Sequence, residues 1–329
     1  MAQKILSDSL LYLLFAALAA FGVFVCVYPH IVPSFSWVVN YAVQLMLLYL
    51  VGGFVFLFFK QPRLTFLSFG ACLLLCFYLK FSIKNNSIER WRSSILKQYQ
   101  PKDNEVRLNA AQFNLTNGTS PEEMINSFKV SGADILSIHE VTPGWSQWLE
   151  DSLSQPYPYH HTMVDIGIFG MAIFSRYPIS SVDTFYYQEI PNLRVCLQKA
   201  GIDICFISVH TEPALNDYSL RRLEGQLETL TAQIGRMDMP LIVMGDFNSV
   251  SWSRELQHFM EISGLLESRS GFMDRQRSFW DVPVDHIFHS SRLGCADFTN
   301  FSDREGRHLG IMAAFQINPL ASHAKKTAQ

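Results

Sequence analysis

The sequence has little charge. Acidic and basic side chains fill 17% of its 329 positions, against roughly 25% in an average soluble domain, while 49% of its residues are hydrophobic. The deficit is concentrated at the start of the chain, where no Asp, Glu, Lys or Arg occurs between Asp8 and Lys60 and residues 64–79 are again uncharged. This excludes an intrinsically disordered chain, and it excludes an ordinary soluble domain for the first 84 residues.

Cysteine is scarce as well. The six cysteines include no C-x-x-C pair, which excludes a disulfide-based scaffold and a zinc site of that spacing. If residues 194–199 and 202–210 form a hairpin that turns at Ala200 and Gly201, Cys196 and Cys205 face each other within reach of a disulfide. The two side chains either form that bond or pack side by side as thiols, and both interpretations stay open.

The charge that is present is divided unevenly. The first 84 residues carry a net charge of +4, from five basic side chains and one acidic one, whereas the remainder carries −7. An acidic domain lacks the basic surface from which most nucleic-acid affinity comes. Nucleic acid is therefore a disfavoured partner, although a local basic patch would still allow it.

Three apolar runs predict a membrane anchor over residues 1–84. The runs at 10–28, 37–59 and 64–81 are read as three transmembrane helices, because about 20 apolar residues are needed to cross a bilayer. A cleaved signal peptide is the alternative for the first run, with residues 17–19 as its cleavage site. The apolar run continues past that site to Val27 and two more runs follow, which favours the anchor.

The basic residues of the short loops predict the orientation. Lys4, Lys60 and Arg63 lie on one side of the predicted spans, and such loops face the cytoplasm, so the rest of the chain is expected in a periplasmic or other extracytoplasmic space. Basic residues between Lys80 and Lys97 oppose this orientation, but long translocated domains follow the rule poorly.

The remaining residues divide into a juxtamembrane linker at 85–104, a folded domain at 105–318 and a disordered tail at 319–329. Within the domain, short apolar runs alternate with helix-like segments, which is typical of an α/β fold with mixed sheets. The predicted strands are 106–113, 135–138, 171–174, 195–197, 204–209, 241–244, 286–288 and 311–317, and the predicted helices are 121–129, 145–153, 219–236 and 252–262.

Polar side chains follow several of the predicted strands at their C-terminal ends. Asn114, Glu140, His210 and Asp246 each come at the end of an apolar run. Because strand ends on one edge of a sheet can converge, these residues are expected to share a crevice. Taken singly, each has the simpler explanation that polar residues begin turns.

Six ordered motifs carry a resemblance to a known family. They are Gln112-Phe113-Asn114, Ile138-His139-Glu140, Gly170-Met171-Ala172-Ile173-Phe174-Ser175-Arg176, Ser208-Val209-His210, Val243-Met244-Gly245-Asp246-Phe247-Asn248 and Val284-Asp285-His286-Ile287-Phe288. In order and spacing they resemble the endonuclease/exonuclease/phosphatase superfamily over residues 106–317, and Trp252-Ser253 resembles its membrane-anchored bacterial branch. The resemblance implies a two-sheet, four-layer α/β sandwich that hydrolyses phosphate esters with a divalent metal, Mg²⁺ or else Mn²⁺.

The resemblance also implies roles for individual residues. The implied roles are metal binding for Glu140 and Asn114, general base for His308, support of that base for Asp285, orientation of the attacking water for Asp246, donation to a phosphate oxygen for Asn248 and stabilisation of the pentavalent centre for His210. These residue types suit the chemistry, because phosphoester hydrolysis needs a hard cation, a base for water and donors for the developing charge.

One position departs from the family pattern. Arg307 precedes His308 where the family usually has Asp, and the nearest other carboxylate is Asp303. Arg307 is expected to contact a substrate phosphate, as Arg176 also could, because a guanidinium matches phosphate oxygens. Alternatively, the change marks a domain that has kept the fold and lost activity.

Together these features predict a multi-pass membrane protein with a Mg²⁺-dependent phosphodiesterase, phosphatase or nuclease domain. The anchor favours a lipid head group as the phosphate ester. The alternative is a non-catalytic, membrane-tethered binding module. The other histidines of the domain are interpreted as structural, since none has the spacing of a transition-metal site; they include His139, His160, His161, His286 and His289.

Overall fold

The structure is a computed structural model that describes residues 2–82, 106–118, 120–269 and 281–317. The predicted linker at 85–104 and tail at 319–329 lie outside the described residues. The chain divides into two compact units. The first contains the described residues of Met1–Lys84 together with two later segments, Pro213–Glu224 and Ser249–Gln257, and the second contains the other described residues.

Three long helices form most of the first unit: α1 at Ala2–Val27, α2 at Ala42–Phe58 and α3 at Pro62–Ser82. The segments Leu10–Val27, Pro33–Phe58 and Pro62–Ser82 are long and apolar enough to cross a membrane, with mean hydropathies of 2.7, 2.0 and 1.9. Many of their large side chains face outward, among them Phe58 and Phe66, which are 81% and 78% exposed. The prediction of three such helices is confirmed.

The second of these helices begins later than predicted. Two 3₁₀ helices, Pro29–Ile31 and Pro33–Tyr41, precede α2, so the α-helical part starts at Ala42 rather than at residue 37. Each proline occupies the first turn of its 3₁₀ helix. Proline lacks the amide hydrogen that would continue the preceding helix, and its fixed φ suits a new first turn.

The later segments of the first unit are hydrogen-bonded to the anchor helices. Trp252 Nε1 donates to Val39 O at 2.9 Å, and Tyr78 Oη donates to Trp252 O at 3.2 Å. The Trp252 side chain is buried there. Segment Ser249–Gln257 follows Asn248 directly in the chain, so the folded anchor includes residues from the C-terminal half of the sequence.

The second unit is built on two six-stranded mixed sheets. The strands are β1 Val106–Asn114, β2 Ile135–His139, β3 Tyr159–Met163, β4 Met171–Ser175, β5 Ile179–Tyr187, β6 Ile190–Lys199, β7 Ile202–His210, β8 Leu241–Asp246, β9 Leu266–Glu267, β10 Asp285–His289, β11 Leu293–Ser302 and β12 His308–Ile317. The described residues beyond α3 also form α4 Pro121–Ser131, α5 Pro143–Leu153, α6 Asp217–Ile234 and α7 Arg254–Ser263. The first sheet has the order β11-β12-β1-β2-β4-β3 and the second β5-β6-β7-β8-β10-β9. The pairs β1–β2 and β7–β8 are parallel and the other pairs are antiparallel.

Buried side chains of both sheets form one core. Leu108 and Ile135 of the first sheet pack in the same cluster as Phe206 and Met244 of the second. A second cluster, which includes Phe128 of α4 and Leu149 of α5, covers the other face of the first sheet. The predicted two-sheet α/β sandwich is confirmed.

The strands that the sequence analysis did not predict are the four sheet edges. Every predicted strand lies within an observed one, whereas β3 and β11, which close the first sheet, and β5 and β9, which close the second, were missed. An edge strand faces solvent and needs no continuous apolar run. In β3, none of the five residues is fully buried.

The predicted hairpin is formed by β6 and β7. It turns at Ala200 and Gly201, and Cys196 pairs with Cys205 in register. Their Cα atoms are 4.1 Å apart and the two sulfurs are bonded. Of the two interpretations that the sequence left open, the structure contains the disulfide.

Candidate active site

Three strand ends of the second sheet bring polar residues to one edge. In the parallel pair of β7 and β8, His210 is in register with Asp246, and in the antiparallel pair of β8 and β10, Asp246 is in register with Asp285. Directly paired residues of neighbouring strands have Cβ atoms only about 5 Å apart. Three predicted catalytic residues therefore lie side by side.

The first sheet contributes a matching edge. Asn114 at the end of β1 is in register with His139 at the end of β2, and Glu140 follows at once. On the other side of β1, Phe113 is paired with Gly310, so the start of β12, at His308, reaches the same edge. His308 Nε2 lies 2.5 Å from Asp285 Oδ2, which joins the edges of the two sheets into one site.

The buried carboxylate of Asp285 is matched to His308. Burial alone would raise the pKa of Asp285, but the hydrogen bond and charge of His308 outweigh it, and the pKa lies below its ordinary value. The group is thus ionised at neutral pH and accepts the Nε2 proton of His308. This arrangement leaves Nδ1 as the ring nitrogen that can take a proton from water.

The pKa of Asp246 is shifted in the opposite direction. Burial, followed by the negative charge of Asp285, raises the pKa of Asp246 to about 6, and the charge of Glu140 acts in the same direction. The preceding glycine is required by packing, because a Cβ on Gly245 would lie 1.8 Å from Val209 O and 2.8 Å from His139 Cε1. The motif thus lets β8 approach its neighbours closely and places a carboxylate where charge repulsion is strong.

Two side chains of the site sit on strained backbone. Glu140 and Asn248 have φ values of +63° and +48°, in the left-handed region that non-glycine residues rarely adopt. Such strain is typical of functional sites. Asn248 is held by its amide, which donates from Nδ2 to Thr211 O at 2.7 Å, and by its backbone N–H, which donates to Asp246 Oδ1 at 2.9 Å.

The two predicted metal ligands contact each other. Asn114 Nδ2 donates to Glu140 Oε1 at 2.7 Å, while the Asn114 amide oxygen accepts from the backbone N–H and the hydroxyl of Thr116 at 3.1 and 2.9 Å. The oxygen that would bind a cation is thus used in a turn. In this arrangement Asn114 orients Glu140, and its amide would have to rotate before it could itself be a ligand.

The site offers the oxygen ligands that a hard divalent cation prefers, but these do not form a complete ligand set in the described structure. Among the described residues, no three His, Cys, Asp or Glu side chains are grouped closely enough to chelate a metal. Carboxylates of Glu140, Asp246 and Asp285 nevertheless meet at this edge, and both neighbours raise the pKa of Asp246. A bound Mg²⁺ needs only one or two carboxylates and would offset this repulsion.

The sequence analysis missed the role of His139 in the site. Its ring stacks on His210, with centroids 5.2 Å apart and planes inclined by 7°. His139 is fully buried, which is the main reason why its pKa is lowered to about 3, and its Nε2 lies 2.9 Å from Ser208 Oγ. A neutral ring therefore supports His210 from behind. The sequence signal that could have indicated this contact is that His139 and His210 both stand at the ends of predicted strands.

His210 has an unused polar atom. The side chain is 2% exposed, and its Nδ1 has no hydrogen-bond partner within the described parts of the chain. Phe169 packs near the same ring, with centroids 5.9 Å apart. A buried imidazole nitrogen without a partner is costly unless a ligand completes it.

The two predicted phosphate-binding arginines each contact partners other than the site residues. Arg176 follows β4 at the edge opposite the site, where its N–H donates to Asp134 O and its guanidinium lies 5.4 Å from the centre of the Tyr157 ring. Arg307 Nε instead donates to Asp303 Oδ2 at 2.6 Å. Both contacts are local, one beside the end of β4 and the other within the turn before β12.

Most of the sequence matches the model of a known protein family. The profile of the Endonuclease/Exonuclease/phosphatase family matches residues 95–307, which is more than half of the chain. The chain belongs to this family. Endonuclease/exonuclease/phosphatase proteins generally hydrolyse phosphate esters, usually with divalent metals. A search among curated proteins finds no match.

Solved structures of family members share the fold at low sequence identity. A humanised TDP2 of D. rerio is 17% identical, with a TM-score of 0.54 over 64% of this chain and 98% of that one. An endonuclease/exonuclease/phosphatase of Beutenbergia cavernae is 14% identical, with 0.55 over 64% and 72%. Sphingomyelinase C of Streptomyces griseocarneus is 14% identical, with 0.50 over 65% and 100%. These similarities establish the sandwich fold and not a substrate.

Proposed function

We propose that this protein is a membrane-anchored, Mg²⁺-dependent hydrolase of phosphate esters, acting as a phosphodiesterase or phosphatase. The observation that carries the proposal is the 2.5 Å hydrogen bond between His308 and Asp285, at the same edge as Glu140 and Asp246. A base held by a buried carboxylate next to acidic side chains is the arrangement that water activation beside a cation requires.

In the proposed reaction, His308 takes a proton from the attacking water on Nδ1. Asp285, ionised and buried, accepts the Nε2 proton throughout, which fixes the tautomer and stabilises the imidazolium that forms. Asp246 orients the water, and its raised pKa makes a nearby positive charge necessary for it to stay ionised at mildly acidic pH.

Two donors are proposed for the phosphoryl group. His210 Nδ1 is buried without a partner in the described structure, so a protonated Nδ1 can donate to a phosphoryl oxygen. Asn248, whose amide is bonded to Thr211 O beside Asp246, is the second proposed donor to a phosphoryl oxygen. Both residues are held by the protein before substrate arrives, which is what electrostatic stabilisation of a transition state demands.

Glu140 and Asp246 are the proposed ligands of Mg²⁺, with Asn114 orienting Glu140. When bound, the ion supplies positive charge to the phosphate oxygens, and Mn²⁺ could replace it because both prefer oxygen ligands. Asp285 keeps its partner His308 and is not assigned to the ion.

The reaction is tested with the full chain in detergent and bis(4-nitrophenyl) phosphate as a generic diester. Turnover is expected with Mg²⁺, absent with EDTA, and reduced at least about a hundredfold in Glu140→Gln. Glu150→Gln is the matched control, because Glu150 is exposed on α5. Turnover that persists in EDTA, or an unchanged rate in Glu140→Gln, contradicts the metal mechanism.

The proposed location is a membrane, with the catalytic domain on the extracytoplasmic side. Three apolar helices and the excess of basic residues in the loops on one side support this, and so does the Cys196–Cys205 disulfide, since disulfides persist in oxidising compartments. A C-terminal reporter that works only outside the cytoplasm should be active. A reporter active only in the cytoplasm would overturn the orientation and leave the chemistry untouched.

A further inference from the structure

The loop between β3 and β4, residues 164–169, exposes aliphatic side chains to an unusual extent. Ile166 is 91% exposed, more than any other large hydrophobic residue of the described structure, and Val164 and Ile168 are 47% and 43% exposed. A protein normally leaves aliphatic side chains in water singly, and a cluster marks a surface that contacts something apolar.

This aliphatic loop is built firmly onto the site. Asp165 N donates to Val141 O and Val141 N donates to Gly170 O, both at 3.1 Å, so both ends of the loop are bonded to the residue that follows Glu140. A Cβ on Gly170 would lie 2.2 Å from Val141 O, which explains why only glycine permits this approach. The loop is therefore a fixed border of the site.

The loop also touches the proposed phosphoryl-binding side chain. Phe169 at its end packs 5.9 Å from His210, and Phe169 N donates to Asp165 Oδ2 at 3.2 Å, which closes the loop on itself. A molecule whose phosphate lies at His210 and whose apolar part leaves along Phe169 would reach the exposed aliphatic residues. Such a molecule has a polar phosphate ester and hydrocarbon chains.

Charge argues against nucleic acid as the occupant. The only charged residue of residues 164–169 is Asp165, an acid, whereas a surface that follows a nucleic-acid backbone needs Lys or Arg, with aromatic rings for the bases. Aliphatic side chains beside a phosphate site instead match the boundary between head groups and acyl chains in a bilayer.

The chain itself supports a membrane as the source of that ligand. Segment Pro213–Glu224 belongs to the unit of the apolar helices, where Ser36 Oγ donates to Ala214 O at 2.7 Å. That segment begins three residues after His210 in the sequence, and it too exposes apolar side chains, Leu215 at 59% and Tyr218 at 65%. Only two residues of the sequence thus separate a site residue from a segment of the anchor unit.

From these observations we infer that residues 164–168 contact the acyl region of a bilayer and that the substrate is a membrane lipid with a phosphate ester. This inference rests on the proposed function and specifies its substrate class. The exposed isoleucines bind the hydrocarbon part, and the site binds the head-group phosphate.

The test compares two substrates with the full chain reconstituted in vesicles of phosphatidylethanolamine and phosphatidylglycerol. Release of water-soluble phosphate from the vesicle lipid should fall about tenfold or more in Ile166→Asp, because an aliphatic contact is replaced by a charge. Turnover of bis(4-nitrophenyl) phosphate should stay within about twofold, since that substrate has no acyl chain. Val130→Asp, at a 70% exposed position on α4, should change neither rate.

The outcomes separate the two proposals. Equal loss on both substrates, or no loss on either, overturns the role of the loop and leaves the hydrolase proposal standing. Faster cleavage of single-stranded DNA than of lipid by the wild type overturns the substrate class. If the wild type cleaves nothing, the proposed function fails, but the membrane contact of the loop can still be tested by fluorescence. The tryptophan of Ile166→Trp should be quenched by brominated lipid, whereas that of the control Val130→Trp should not. Absence of this added quenching overturns the membrane contact.

Discussion

Replacement of Asp246 by Asn should stabilise the protein while it abolishes activity. The substitution keeps an oxygen that can accept from the Asn248 N–H, and it removes the negative charge that faces Asp285 and Glu140. Burial and these charges raise the pKa of Asp246 from 3.8 to about 6. The folded protein therefore holds this proton more tightly than the unfolded chain does, and it loses stability as the pH rises through that interval.

The expected gain in the free energy of unfolding follows from the pKa shift of Asp246. About two pKa units at 1.36 kcal/mol each give an upper limit of about 3 kcal/mol above pH 6, and partial contact of Asp246 with solvent reduces this to about 1.5 kcal/mol. At about 2–4 °C per kcal/mol for a domain of this size, the melting temperature should rise by about 3–6 °C. The gain should shrink steeply as the pH falls from 6 to 4, because the folded state then carries the proton and the pH approaches the pKa of 3.8 of the unfolded chain.

The assay is thermal unfolding of the full chain in detergent between pH 4 and pH 8, with EDTA. Asp151→Asn on the exposed face of α5 is the matched control and should show no pH-dependent gain. Addition of Mg²⁺ should stabilise the wild type more than Asp246→Asn, because the cation offsets the repulsion only where the charge remains. A variant that is less stable at pH 8, or a gain independent of pH, refutes the electrostatic argument.

Substitutions at three further positions test other parts of the structure. Asp285→Asn should lower kcat by about 10³–10⁴ with KM little changed in steady-state kinetics, since it removes the carboxylate that fixes the base; a change confined to KM contradicts this role. Loss of the Cys196–Cys205 bond, by dithiothreitol or by Cys196→Ser, should lower the free energy of unfolding by about 2–3 kcal/mol in denaturant, because the bond closes a short loop. Dithiothreitol should have no effect on the stability of Cys196→Ser. His139→Phe, which retains a flat ring against His210, should keep kcat within about fivefold, whereas His139→Ala should lower it about a hundredfold; equal losses would show that the stack is irrelevant.

The central strands could be predicted from the sequence and the edge strands could not. A strand such as β2 is buried at all five positions, and three of these are Ile or Leu, which gives the short apolar run that the sequence analysis recognised. In β5, by contrast, Phe185 is the one buried residue, and the nine-residue strand includes four polar side chains, those of two serines, Asp183 and Thr184. The missed elements are those whose environment constrains the side chains least.

The site residues at strand ends could be predicted because the backbone places them. Parallel and antiparallel registers carry His210, Asp246 and Asp285 to adjacent positions whatever their side chains do. The orientation of an amide or the partner of an exposed arginine is decided by local contacts within a few ångströms. This is why the oxygen of Asn114 turned to Thr116, and why Arg176 lies beside Asp134, without a sequence pattern to indicate either.

The substitution at position 307 does not by itself favour a domain without activity. Arg307 is paired within its own turn, where its backbone N–H and Nε both donate to the carboxylate of Asp303. A module that only bound a phosphorylated ligand would gain from cations there and would lose from three carboxylates that repel each other and the ligand. The site instead keeps Asp246 at a cost in stability, opposite Asp285 and near Glu140. That cost is offset when a cation and a water to be activated occupy the site, which is the chemistry of a hydrolase.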